Sequence, residues 1–172
     1  CPDIRITIAG GGSGVGVKKV MEGIVDIGNT GRALKPEEKA GGDLRSFPFA
    51  IDGVAMCVHP DNPVADLKPE QVQAIFAGTT ANWKDLGGKD APLTLYTRDE
   101  ASGTREVFWE QLLRKGAIAD RANVVPSNGA MKLAVAKDSN AIGYVSIGHV
   151  DSTIKALAIG GVAATQENAE SG

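Results

Sequence analysis

The chain has 172 residues, 42% of them hydrophobic and 23% charged, an ordinary balance for a globular protein and enough for one compact domain or two small lobes. The formal net charge of −3 argues against a nucleic-acid partner and leaves any bound anion to be held by local groups, not by bulk charge. No apolar run approaches the roughly 20 residues that span a bilayer, no secretion signal heads the sequence, and the 22 glycines cluster at turns between apolar segments, as suits an α/β protein.

Ile4-Arg5-Ile6-Thr7-Ile8 alternates apolar and polar residues and predicts a strand. A glycine-rich loop over 9–14 leads into a helix over 15–23, and Ile24-Val25-Asp26-Ile27-Gly28 reads as a second strand. Strand, loop, helix and strand together predict a βαβ unit with parallel pairing. Leu34 to Glu38 looks like a helix start with acidic residues early. Ser46 to His59 is too long an apolar stretch for one strand and is expected to cross between two lobes. Leu67 to Phe76 is an amphipathic helix with proline near its start, ended by Gly78, and 82–86 is a further short turn or helix. Leu93 to Thr97 alternates as a strand, 99–103 is a polar loop, and 104–115 is a helix burying Val107, Phe108 and Leu112. Val124-Val125 is a short strand, Ser127 to Gly129 offers an N-cap for a helix over 130–136, and strands are expected at 141–146 and 154–159.

Two loops carry the chemistry. Gly12-Ser13-Gly14-Val15-Gly16 and Arg98-Asp99-Glu100-Ala101-Ser102-Gly103-Thr104 each sit between a strand and a helix. Both place hydroxyls and free backbone N–H groups at a helix N-terminus, where the helix dipole favours negative charge. Arg98 adds a permanent charge and a fork of donors suited to a tetrahedral oxyanion. Each loop also has a plainer reading, with Ser102 as a helix cap only and Arg98 as a solvated charge. The first loop lacks the Lys-Ser/Thr ending of a nucleotide P-loop and the spacing of a nucleophile elbow. Asp99-Glu100 is open to a general acid/base role, but a solvated turn or an ion pair orienting Arg98 is the simpler expectation. His59 and His149 read as surface or hinge residues, Cys57 as a buried structural thiol, and Cys1 either as a lipid anchor or as a residue abutting the first strand without a tether. These few ligands do not make a metal site, and no cofactor is expected.

Taken in order, these segments resemble the phosphate-binding proteins of high-affinity phosphate ABC transporters. The likeness rests on Gly10 to Lys18 with Gly23 and Asp26-Ile27-Gly28, on Ile51 to Ala55 with His59-Pro60-Asp61-Asn62-Pro63, and on Leu67 to Gly78 with Asn82-Trp83. It continues through Arg98, Ser102-Gly103-Thr104-Arg105 and Phe108, Ser127-Asn128-Gly129, and Ala141 to Ser146. The resemblance implies a type II periplasmic-binding-protein-like fold, with two α/β lobes joined by a two-segment hinge and closing on one dehydrated phosphate. It implies that Ser13 and Gly14 bind the anion through hydroxyl and N–H groups, that Arg98 pairs with it, and that Ser102, Gly103 and Thr104 cradle it.

Two departures are visible. The family carries Asp or Ser at the position aligned with Gly31, in Asn29-Thr30-Gly31-Arg32, where glycine offers only its N–H; Thr30 and Arg32 stand beside it as substitutes. The family's opening strand, hydroxyl loop and helix have no counterpart ahead of Cys1, and the tail after Ile159 looks short, so the first lobe is expected to be incomplete with an open sheet edge. The expected organisation is lobe 1 over 1–56 plus 147–172 and lobe 2 over 57–146, with hinges near Met56-Cys57 and Ser146-Ile147. The expected ligand set is Ser13, Gly14, Thr30, Gly31, Arg98, Ser102, Gly103 and Thr104. The expected role is a periplasmic or extracytoplasmic receptor without catalysis, handing phosphate or a similar oxyanion to ABC transporter membrane subunits. The alternatives are a truncated or diverged member acting as a sensor, interaction module or generic oxyanion binder, and a phosphatase using Asp99 or Glu100.

Overall fold

A computed structural model describes residues 3–171. Its centre is a five-stranded mixed sheet in the order β4-β3-β5-β1-β6, formed by β1 (Val54–Val58), β3 (Thr94–Arg98), β4 (Asn123–Val125), β5 (Ala141–Ser146) and β6 (Lys155–Ala156). β3 runs parallel to both β4 and β5, whereas β1 is antiparallel to β5 and β6. A two-stranded parallel sheet pairs β2 (Asp66–Leu67) with β7 (Ala158–Ile159). The helices are α1 (Ser13–Met21), α2 (Pro36–Ala40), α3 (Pro69–Phe76), α4 (Gly103–Gln111), α5 (Asn128–Lys137) and α6 (Gln166–Ser171).

The period-2 alternation of the central strands feeds two cores. Met56 and Val58 of β1 and Ile142 and Tyr144 of β5 face one side, where they pack with Phe76 and Phe108. Phe108 stacks on Tyr144 with ring centroids 4.1 Å apart and meets Phe76 edge-on at 4.7 Å. Ala55, Cys57 and Val145 face the other side, against Met131 and Val135 of α5. Gly143 lies opposite Cys57 in the ladder, and a Cβ there would run into the Met131 sulfur, so α5 seats on the sheet only because β5 is bare at that point. Burial pushes the Cys57 thiol up to about 12, so it stays an inert apolar filler.

Residues 3–53 differ from expectation. Neither 4–8 nor 24–28 is a strand, so the βαβ unit does not form, and only 54–58 of the long apolar stretch is sheet. An extended segment becomes a strand by exchanging N–H···O=C bonds with a neighbouring strand, and among the described residues neither segment pairs with one. What does form there is local: α1, tightly laid on the backbone of Gly28-Asn29 through Gly16, and α2, whose Glu38 carboxylate accepts from the Lys35 N–H at 2.8 Å. The last expected strand, 154–159, is broken into β6 and β7, and α6 was not foreseen. Cys1 lies outside the described residues, as does any bearing it has on anchoring.

Candidate functional site

The parallel trio β4-β3-β5 has a topological switch at β3. The chain leaves β3 through α4 to reach β4 on one side, then leaves β4 through α5 to reach β5 on the other. The two helices lie on opposite faces, with Phe108 of α4 in one core and Met131 of α5 in the other. Such a split opens a crevice beyond the carboxyl ends of the strands, and both helix N-termini point at it. Arg98 is the last residue of β3 and stands at that place.

Arg98 is only 6% exposed. Its Nη1 donates to Asn128 Oδ1 at 3.3 Å and its Nη2 to the Pro126 carbonyl at 3.2 Å, while Nε has no partner among the described residues. Its backbone N–H donates to the Tyr144 hydroxyl, which also bonds Thr97 Oγ1 at 2.9 Å, so the root of the side chain is fixed to the core. No carboxylate forms an ion pair with Arg98 among the described residues. Burial accordingly lowers its pKa, against a smaller opposing pull from Asp99. Burying an unpaired ion costs several kcal/mol even after relaxation, a cost that a negative group placed here would offset.

The surrounding groups are donors. Ser102 is 1% exposed and its hydroxyl accepts from the Arg105 N–H at 3.2 Å, capping α4. The first intrahelical bond of α4 is Glu106 N–H to Ser102 O, so the Gly103 and Thr104 N–H groups precede the helix ladder. Ser13, at the start of α1, is buried against Gly103; a Cβ on Gly103 would collide with the Ser13 hydroxyl. Gly12, with φ of 81°, would bring a Cβ to 2.8 Å from Ala101 O, so glycine at both positions permits the close approach of the two loops.

The structure brings Ser13, Arg98, Ser102, Gly103 and Thr104 to this place, but it spends three of the expected groups elsewhere. The Gly14 N–H donates to Ala101 O at 3.0 Å, and the Gly31 N–H donates to the Ser13 hydroxyl at 3.0 Å. The Thr30 hydroxyl donates to the Arg32 carbonyl at 2.9 Å. Arg32 adds no free charge either: its Nη1 and Nη2 grip Glu38 at 2.8 and 2.7 Å, and its Nε pairs with Glu106. That grip raises the Arg32 pKa and holds the Glu38 carboxyl at about 2. Asp99 Oδ1 accepts from the Ala101 N–H within the loop, which is the turn reading and not an ion pair with Arg98.

Sequence reasoning did not single out Asn128, Arg105 or Glu106 as site residues. Asn128 Oδ1 accepts from both Arg98 Nη1 and the Ser146 N–H, and Arg105 also carries a buried Nε without a hydrogen-bond partner among the described residues. Helical spacing offered a signal for the last two, because positions three and four beyond Ser102 return to the side of the cap.

Residues 1–171 match the model of the PBP superfamily domain. The phosphate-binding protein PstS of Bacillus subtilis is 37% identical over 175 residues, an overlap covering 99% of this chain and 57% of that protein. The PstS of Pseudomonas aeruginosa is 31% identical, with 92% of this chain and 54% of that protein covered. The chain therefore spans a little over half the length of these curated relatives. Among solved structures, a putative phosphate ABC transporter substrate-binding protein with bound phosphate from Clostridium perfringens superposes with a TM-score of 0.93 at 40% identity, covering 99% of this chain and 70% of that one. An ABC-type phosphate transport receptor from Vibrio cholerae gives 0.74 at 36% identity, covering 97% and 70%.

Proposed function

This chain belongs to the PBP superfamily, among the substrate-binding proteins of phosphate ABC transporters, and from that membership we propose that it captures inorganic phosphate for delivery to the membrane subunits of such a transporter. The observation that carries the reading is the buried Arg98 guanidinium, without a carboxylate partner among the described residues, set where α4 and α5 begin. The anion would take Arg98, the hydroxyls of Ser13 and Ser102, and the N–H groups of Gly103 and Thr104. Gly14, Thr30 and Gly31 then serve by shaping the Ser13 loop, since their donors are already used within it.

The proposed division into residues 1–56 plus 147–172 and residues 57–146 makes Ser13 and Arg98 come from different lobes, so that one ligand touches both. Val54 pairs with Ser146, which sets the two proposed crossings side by side, while β6 and β7 pack with residues 57–146 through β1 and β2. The proposed setting is extracytoplasmic, in keeping with relatives that are named as transport receptors and substrate-binding proteins. Among the described residues no helix is long and apolar enough to cross a membrane. Binding without catalysis is the proposed activity: Asp99 is committed to its turn, and His59 accepts from the Asp61 N–H through Nδ1.

The test is the melting temperature of this chain with and without millimolar phosphate, with sulfate as the comparison. Ligand that binds only the folded state adds about 2.7 kcal/mol at a hundredfold excess over its dissociation constant. A rise with phosphate is expected. A rise equal in sulfate would make this a generic oxyanion site, and no rise with either would overturn the reading.

A further inference from the structure

Beside the anion site lies a four-residue ion cluster that the proposed function does not use. Arg32 and Lys35, between α1 and α2, and Glu38 of α2 belong to the N-terminal stretch; Glu106 belongs to the first turn of α4. Both oxygens of Glu38 are held by Arg32, while the two oxygens of Glu106 are taken by Arg32 Nε at 2.5 Å and Lys35 Nζ at 2.8 Å. The Arg32 side chain is 7% exposed and that of Glu106 is 18%, so solvent screens this cluster far less than an ordinary surface pair. Arg32 also lies against Gly103, with its Cγ 3.5 Å from where a Cβ would stand there. The residue before it, Gly31, donates to Ser13.

These contacts have a common consequence. Residues 3–53 meet the rest of the chain near the crossover, through Ile147 N–H to Gly53 O and Gln166 to Ile51 O, and again at the cradle, through Gly14 N–H to Ala101 O. The ion cluster fastens that second meeting. We propose that Arg32 and Glu106 are positioning residues for anion capture, an ionic latch that holds the Ser13–Gly31 loop against the first turn of α4 without touching the anion. The inference rests on the phosphate-binding reading for its ligand, but the contacts of the latch are all among the chain's own residues.

The sign of one substitution separates this from simple electrostatics. Glu106→Gln removes a negative charge beside an anion site and releases two cations, so Coulomb attraction alone predicts tighter phosphate binding. The latch predicts weaker binding, by about tenfold or more, because a nearly buried charge pair loses one partner. Phosphate affinity of the full chain would be measured by calorimetric titration for the parent, Glu106→Gln and Glu38→Gln. The second variant loosens Arg32 from the other side and carries the test if the first fails to fold. Amide hydrogen exchange of residues 30–38 without phosphate is followed in parallel. Weaker binding together with faster exchange supports the latch. Unchanged or tighter binding overturns it. If the parent binds no phosphate, the ligand reading fails by itself, and exchange then decides: faster exchange in the variants sustains the latch, and unchanged exchange overturns it.

Discussion

Residues 54–159 and residues 3–53 both carry isoleucine, valine and phenylalanine stretches, but they treat them in opposite ways. The first stretch buries its apolar side chains on both faces of a sheet, with Phe76, Phe108, Tyr144, Met131 and Val135 all at 2% exposure or less. In the second stretch Val17 is the one large hydrophobic residue that is buried, while Ile6, Ile8, Ile27, Phe47 and Phe49 are each more than three-quarters exposed, among the described residues. The difference teaches that alternation supplies a strand's faces but not its partner. β1 and β5 find each other and gain two cores; 4–8 and 24–28 also read as strands but form no ladder, with bends at Ile24 and Asp26. The N-terminal stretch is therefore held by specific polar contacts, at the proposed anion site and near the crossover, and not by a core of its own.

Core truncation is the largest expected effect. Phe108→Ala should cost about 3–5 kcal/mol, because it empties the space between Phe76 and Tyr144. Phe49→Ala, removing an equally large ring, should fall within about 0.5 kcal/mol of the parent. Urea denaturation of both variants checks the contrast, and equal losses would break it. Next comes Gly143→Ala, expected to cost about 1–3 kcal/mol by forcing α5 off the sheet through Met131.

A native-state exchange experiment sharpens the same comparison. Amides of 55–58 and 141–146 should exchange only through global opening, whereas those of 4–8, 24–28 and 46–52 should exchange orders of magnitude faster through local motion. The smallest effect concerns pH. Glu38 titrates at about 2 in the fold against an ordinary 4.5, chiefly because Arg32 holds its ionised form. Its stabilising share is fully present above the ordinary value and is lost as pH falls from 4.5 toward 2, so the urea midpoint should decline over that window and less so in Glu38→Gln. An identical decline in both proteins would remove the Arg32–Glu38 pair from the account.

The elements that need only local information were legible in the sequence. The proline start and apolar stripe of α3, the Ser127 cap of α5 and the run of β5 are where the pattern puts them. So was the Ser102 cap before α4, whereas Arg98, expected to open the polar loop, is the last residue of β3. What was not legible depends on distance. The ladder that 4–8 and 24–28 lack, the two-residue pairing of β2 with β7, and the joining of Arg32 to Glu106 are all contacts between remote positions. The commitments of Gly14, Thr30 and Gly31 were hidden for the same reason, because a backbone N–H looks free until the loop opposite it is known.

The central claim is that Arg98 is a buried charge kept unpaired for an anion. Arg98→Met tests it most directly, since methionine fills similar space without charge. Thermal unfolding of the parent and the variant would be compared with and without millimolar phosphate. The account predicts that the anion-free variant is as stable as the parent or more so, and that phosphate no longer raises its melting temperature. A variant that is destabilised without phosphate and still gains the parent's full phosphate-induced rise would contradict it.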